Sequence, residues 1–286
     1  MTTRPVTLRV FGRSDIGKAR TKDEDSFVIS KLTDAPPIRA MTSPVSLAVN
    51  DRGILIAVSD GMGGAQAGEV ASSLVVGALQ QGMSTAQASS ADVALRVAAE
   101  GANRQVFDTA QATGRVGMGA TLTAVLFHGV YAYIAQIGDS RAYLLRGSRM
   151  VQVTRDQSYV QQLVDAGALT PEQSETFEFK NVILQAMGIK PDVAVVMRRI
   201  SVRRYDRFLV CSDGLSGSVT GQHLLNAMVG SPTLDSACAR LIDMAVEHGS
   251  EDDITVVLAE VDGEGAPAIS DAERLSLETS TTFDPA

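Results

Sequence analysis

Tryptophan is absent from the 286 residues, histidine occurs three times and cysteine twice. Each scarcity removes a class of chemistry. Cys211 and Cys238 are too few for a disulfide framework, and Cys211 lies in the apolar run Phe208-Leu209-Val210-Cys211 as a small hydrophobe. A reducing, cytoplasmic setting is expected. His128, His223 and His248 stand far apart in the chain and away from both cysteines, so neither zinc sites of His and Cys nor Ser-His or Cys-His nucleophilic pairs are expected. Carboxylates, hydroxyls, Lys and Arg are left to carry any reaction.

Other things are missing as well. No apolar run approaches the roughly 20 residues that span a bilayer, and Met1-Thr2-Thr3-Arg4-Pro5 lacks the apolar stretch of a signal peptide. A soluble protein without a membrane partner is expected. Positive charge is in deficit: 25 Lys and Arg against 33 Asp and Glu leave a net charge of −8, which disfavours nucleic acid as a partner. Aromatics make up only 5% of the chain, so its 45% of hydrophobic residues must build a core mainly from Val, Leu, Ile, Ala and Met. A chain of this length can bury a sizeable one.

What is present is organised in blocks. Thr7–Phe11 and Asp25–Ile29 read as strands, 31–50 with its three prolines as a long loop, and Ile54–Val58 as an apolar strand that stops at Asp60-Gly61. Val70, Leu74 and Ala78 mark one helix; Leu95, Ala98, Ala102 and Val106 mark a second from near Ser90, with a loop over Gly82–Ser89 between them. Hairpins are expected about His128-Gly129 and about Arg146-Gly147-Ser148. Residues 156–190 read as an irregular insertion with short helices, one starting at the capping box Thr170-Pro171-Glu172-Gln173. Strands Val193–Ile200, Arg207–Cys211 and Ile254–Leu258 follow, with a helix Thr233–His248 that Gly249 terminates. Without βαβ alternation, this is an α+β domain in which helices cover antiparallel sheets. It spans 1–263, and 264–286, rich in Ser, Thr, Glu and Pro, is expected to be a mobile tail.

Aspartates punctuate this pattern. Asp60, Asp139, Asp213 and Asp252 each stand where an apolar strand ends or begins, and Glu24-Asp25 precedes another. A single Asp-Gly is adequately explained as a turn, as Asp262-Gly263 is. The set asks for more. If these strand ends converge, two unit charges 4 Å apart repel by about 4 kcal/mol at an effective dielectric near 20. Divalent cations relieve that repulsion, and an all-oxygen ligand set selects Mg2+ or Mn2+. Gly61 leaves its carbonyl free to approach such an ion, although Gly61-Met62-Gly63-Gly64 equally suits a flexible strand-to-helix loop. Spacing alone leaves the convergence open.

Six phrases in order make a more specific match. They are Ser14-Asp15-Ile16-Gly17 with Arg20-Thr21-Lys22-Asp23-Glu24-Asp25, Val58-Ser59-Asp60-Gly61-Met62-Gly63-Gly64, Gly117-Met118-Gly119-Ala120-Thr121-Leu122-Thr123, Ile137-Gly138-Asp139-Ser140-Arg141-Ala142, Cys211-Ser212-Asp213-Gly214-Leu215 and Asp252-Asp253-Ile254-Thr255. Over residues 8–260 the chain resembles the metal-dependent protein Ser/Thr phosphatases of the protein phosphatase 2C type, the bacterial members especially. The resemblance implies an α-β-β-α sandwich of two antiparallel sheets flanked by helices, with 156–190 as a flap. It implies that Asp60 bridges two ions, that Asp213 and Asp252 complete one, and that Glu24 and the Gly61 carbonyl complete the other. Asp25 would support this shell, Asp139 with Asp213 would hold a third ion, and Arg20 would grip the substrate phosphate. Water shared between the two ions would attack phosphorus in line, with no covalent intermediate. Partners would be proteins phosphorylated on Ser or Thr, a Ser/Thr kinase among them, and the enzyme would be a monomer.

The chain also departs from the family. Asp23 and Asp253 stand where asparagine is common, Met62 replaces a histidine found in many eukaryotic relatives, and Gln157, Leu184 and Gln185 alter the flap phrasing. Methionine cannot donate a proton, so water on a third ion is the candidate acid. Two other readings share part of this evidence. A pseudophosphatase would bind phosphoproteins without turnover, but Arg20, Glu24, Asp60, Asp139, Asp213 and Asp252 together exceed what binding needs. A two-metal nuclease conflicts with the acidic balance. The one dense basic run, Arg198, Arg199, Arg203, Arg204 and Arg207, reads either as a solvated face or as a docking point for an acidic partner.

Overall fold

The computed structural model describes residues 5–33, 35–63 and 67–270, together with the backbone of Thr282–Phe283. Along the chain run β1 (Thr7–Asp15), β2 (Asp25–Ser30), β3 (Val45–Ala48), β4 (Ile54–Met62), α1 (Ala67–Thr85), α2 (Ala91–Thr113), β5 (Gly119–Ala120), β6 (Leu122–His128), β7 (Tyr131–Ile137), β8 (Arg141–Arg146) and β9 (Arg149–Gln152). Then come α3 (Tyr159–Asp165), α4 (Pro171–Glu175), β10 (Val196–Ser201), β11 (Arg207–Cys211), α5 (Asp213–Ser216), α6 (Gly221–Gly230), α7 (Leu234–Glu247), β12 (Ile254–Asp262) and β13 (Thr282–Phe283). One sheet has the order β3-β1-β12-β11-β8-β9 and the other β13-β10-β7-β6-β4-β2, with β5 paired to the end of β4. The strand pairs are antiparallel throughout, among them β1 with β12, β11 with β12, β2 with β4 and β6 with β7.

Three apolar layers separate four structural ones. Between the sheets lie Ile29, Ile56, Val58, Val125, Phe127, Phe208, Val210 and Val257, and the Phe127 and Phe208 rings meet edge to face with centroids 5.1 Å apart. The helical stripe of Ala71, Val75 and Leu79, with Leu95, Ala102 and Val106 of α2, covers one outer face. Leu224, Leu234, Cys238, Leu241 and Ala245 of α6 and α7 cover the other. This is the α-β-β-α sandwich. Burying each Val, Leu, Ile or Phe contributes about 1.5–3 kcal/mol, and the two faces of each central strand explain why those strands are apolar throughout.

Local signals held where capping chemistry was explicit. The Thr170 hydroxyl accepts from Gln173 N while the Gln173 side chain accepts from Thr170 N, and Gly249 adopts φ +87° just past α7. Several boundaries moved. The 31–50 loop contains edge strand β3, and α1 continues through Gly82 to Thr85. β4 does not stop at Asp60-Gly61: both residues still have antiparallel partners, Asp25 for Asp60 and Ala120 for Gly61. α5 and α6 had no expected counterpart. Of the tail, 264–270 is held to the body, with Ala266 buried and the Pro267 carbonyl accepting from Arg204 N at 2.8 Å. Residues 271–281 and 284–286 lie outside the described residues, as does Gly64. Among the described residues no helix is long and apolar enough to cross a membrane. Cys211 and Cys238 are free and buried, and burial pushes both thiols up to about 12.

Candidate active site

The register of β2 against β4 sets Asp25 directly opposite Asp60. Like charges facing across strands are destabilising, and here the pair is pressed further by the other sheet. Asp213 opens α5 at the end of β11, close enough for its charge to act on Asp60. The Ser212 and Thr255 hydroxyls, also from that sheet, lie near Asp25 and partly offset the cost of its burial. Asp139, in the turn between β7 and β8, and Asp252, just before β12, complete the ring of charge felt by Asp60.

Glu24 enters beside them. Its carbonyl accepts from Gly61 N at 3.1 Å, and its own N–H donates to Asp253 Oδ2 at 2.7 Å. Arg20 closes the mouth, with Nη2 at 2.7 Å from Asp252 Oδ1 and Nη1 at 3.4 Å from Glu24 Oε2. Two glycines make the approach sterically possible. A Cβ on Gly61 would sit 2.2 Å from the Gly68 carbonyl oxygen and 2.5 Å from that of Glu24; one on Gly214 would sit 2.1 Å from that of Asp253. All of Arg20, Glu24, Asp25, Asp60, Gly61, Asp139, Asp213 and Asp252 thus meet in one region.

The electrostatics are unfavourable for bare carboxylates. Burial first, then Asp25, Asp213, Asp139 and Asp252, raise Asp60 well above the usual carboxylate range. Burial likewise raises Asp25 and Asp213. Burial, with Asp213 and Asp156, takes Asp139 up to about 8; Asp253 rises to about 6, mainly by burial. Among the described residues, four buried carboxylate oxygens have no hydrogen-bond partner: Asp25 Oδ2, Asp139 Oδ1, Asp213 Oδ1 and Asp253 Oδ1. Among the described residues, no three His, Cys, Asp or Glu side chains already stand as a ligand shell. The carboxyl groups instead lean on one another and on Arg20. Orphaned hard oxygens, without nitrogen or sulfur donors, are the set that suits Mg2+ or Mn2+.

Two cavities of about 480 Å³ each open onto this cluster. One is lined by Arg20, Asp213, Ser250 and Asp252, the other by Asp139, Arg141, Asp156 and Asp213 beneath the insertion that carries α3 and α4. Lys180 and Asn181 border both. Neither is signalled by the residue pattern, because neither belongs to a strand-end phrase. The insertion is anchored at its two roots. Gln157 Oε1 accepts from Gly138 N (2.8 Å) and from Gln185 Nε2 (3.0 Å), and Gln185 also clasps Ala194 through both amide atoms. Arg141 grips Asp156 with three hydrogen bonds of 2.7–3.0 Å. The altered flap residues Gln157 and Gln185 therefore fix the turn that carries Asp139.

A family model for protein phosphatase 2C matches residues 45–259. The chain belongs to the protein phosphatase 2C family. It is 36% identical over 258 residues to the serine/threonine protein phosphatase PstP of Mycobacterium tuberculosis, covering 90% of this chain and 45% of that protein, so it spans about half the length of this relative. It is 31% identical to the serine/threonine phosphatase stp of Listeria monocytogenes over 87% of this chain and 94% of the relative. The crystal structure of the PstP catalytic domain in complex with two manganese ions superposes with a TM-score of 0.75 at 35% identity, covering 90% of this chain and 99% of that one.

Within this protein phosphatase 2C chain the arginine run is spent on its own fold. Arg198 donates to the Val153 carbonyl, Arg199 stacks over Tyr131, Arg204 pairs with Asp262 over Tyr205, and Arg207 binds Glu260 at 2.6 Å. All five side chains are half-buried, so the run is less solvated than the expected open face.

Proposed function

We propose that this protein hydrolyses phosphoserine and phosphothreonine in proteins, using divalent cations held by Asp60, Asp213, Asp252, Glu24 and the Gly61 carbonyl, with Asp139 and Asp213 holding a third. The observation that carries the reading is a cluster of buried carboxylates from both sheets with orphaned oxygens, of which Asp213 lines the cavity that also holds Arg20 and Asp139 lines the one beside it. When bound, such ions neutralise the cluster and activate water toward a phosphate ester. Arg20 offers planar paired donors to phosphate oxygens, a geometry lysine does not provide. Asp25, near Ser212 and Thr255, orients the cluster from below.

The nearby hydroxyls and thiol support direct attack by water. Ser59 Oγ donates to the Thr121 carbonyl, Ser140 Oγ bonds Thr121 Oγ1, and Ser212 Oγ accepts from Thr255 N. The Cys211 thiol is buried and held neutral. None is poised as a covalent nucleophile. Two buried free thiols also suit a cytoplasmic setting. Either Mg2+ or Mn2+ satisfies the oxygen donors, and partner proteins would present the phosphorylated side chain across the Lys180 rim.

The test is release of phosphate from a phosphoserine peptide and from an aryl phosphate, with Mn2+, with Mg2+ and with a chelator. Cation-dependent turnover is expected, and Asp213→Asn should lower it by at least about 10³-fold, about 4 kcal/mol of barrier. Phosphopeptide binding by the wild type without turnover would replace the proposal with a binding role.

A further inference from the structure

Two of the three histidines, remote in sequence, come together in space. His223 lies in the first turn of α6 and His248 caps the end of α7, and their exposed rings sit with centroids 5.4 Å apart at an interplanar angle of 64°. Their separation in sequence gave no hint of this pairing. Each ring has one nitrogen engaged by oxygen. His248 Nδ1 is 3.1 Å from the Ser218 carbonyl, and His223 Nδ1 is 3.0 Å from Thr220 Oγ1. A carbonyl only accepts, so His248 carries its proton on Nδ1 and its lone pair on Nε2. An imidazole that gives its other N–H to a backbone carbonyl is the usual posture of a metal ligand.

We propose that His223 and His248 form a binding site for a borderline divalent cation, Zn2+ or Cu2+, outside the carboxylate cluster. The spacing fits: one ion holding both Nε2 atoms at about 2.0–2.1 Å places the ring centres roughly 5–6 Å apart. The chemistry separates the two sites, since imidazole favours Zn2+ and Cu2+ whereas carboxylate and carbonyl oxygens favour Mg2+ and Mn2+. Water fills the remaining positions. The site has a mechanical consequence too. Gly217 and Ser218 line the same cavity as Gly249, Ser250 and Asp252, and the His248–Ser218 hydrogen bond already joins the two segments. An ion on the pair would reinforce that join.

The test needs no turnover, so it stands or falls apart from the phosphatase reading. The 286-residue chain, with excess Mg2+ present to occupy the carboxylates, is titrated calorimetrically with Zn2+. Its Cu2+ adduct is examined by electron paramagnetic resonance. We expect one Zn2+ site that His223→Gln and His248→Gln each weaken at least about 10-fold, while His128→Gln leaves it unchanged. The copper spectrum should show coupling to two imidazole nitrogens, reduced to one in either variant. Equal Zn2+ affinity in the wild type and the double variant, or a copper spectrum insensitive to both substitutions, would overturn the proposal.

Discussion

Raising the pH of the chelated protein should destabilise it. Asp139 is 7% exposed, and burial with Asp213 and Asp156 lifts its carboxyl from 3.8 to about 8. The folded chain therefore holds this proton more tightly than the unfolded chain does. That contribution is complete below about pH 4 and is lost as the pH climbs through about 8. Each unit is worth about 1.4 kcal/mol for one group, so Asp139 alone removes up to about 4 kcal/mol between pH 5 and 8. Asp253, raised to about 6, removes about 1 kcal/mol more between pH 5 and 6. Against a total of about 5–15 kcal/mol, this lowers Tm on the order of 10 °C. Differential scanning calorimetry at pH 5, 6.5 and 8 in chelator measures it. Millimolar Mg2+ or Mn2+ should restore stability at pH 8 and add little at pH 5, where protons already neutralise the ligands. Asp139→Asn should flatten the chelated profile. A chelated Tm that holds level or rises from pH 5 to 8 would refute the account of the cluster.

Other perturbations have separate readouts. Arg20→Ala removes the paired donors at the cavity mouth and should chiefly raise KM for a phosphopeptide; an unchanged KM would count against a phosphate grip. Arg146 and Asp206 form an ion pair with only 5% and 1% of their side chains exposed, joined at 2.7 Å. Arg146→Met should cost about 3–5 kcal/mol in denaturant titration by stranding Asp206, with Arg146→Met/Asp206→Leu recovering much of it. Gly214→Ala drives a methyl into the Asp253 carbonyl. Turnover should fall at least about 10-fold, and the denaturation midpoint in excess Mn2+ should drop as well because backbone must move to admit the methyl, which circular dichroism reports.

The parts of the site that were legible in the sequence share a property: they sit at strand ends, where an apolar run gives way abruptly to aspartate. Asp60, Asp139, Asp213 and Asp252 could be named because burial on both sides makes a central strand uniformly apolar. What the spacing could not convey was that β4 continues through Asp60-Gly61, since that depends on Asp25 and Ala120 arriving as partners. Edge strand β3 escaped notice because pairing on one side demands little of its sequence; all four of its residues retain some exposure. Lys180 and the His223–His248 pair were invisible for a different reason. Loop packing and the angle between α6 and α7 set their positions, and neither leaves a periodicity to read.

The reactive cluster draws Glu24, Asp25 and Asp60 from one sheet and Asp213 and Asp252 from the other, so the gap between the layers is itself an active-site dimension. Phe127 and Phe208 are spacers in that gap. Trimming either ring would act on turnover as a change of shim thickness acts on a machined joint, at a distance and without touching a charged group. A laboratory selection for activity alone would consequently police the greasy interior, and suppressors of a trimmed Phe208 should emerge on the facing layer.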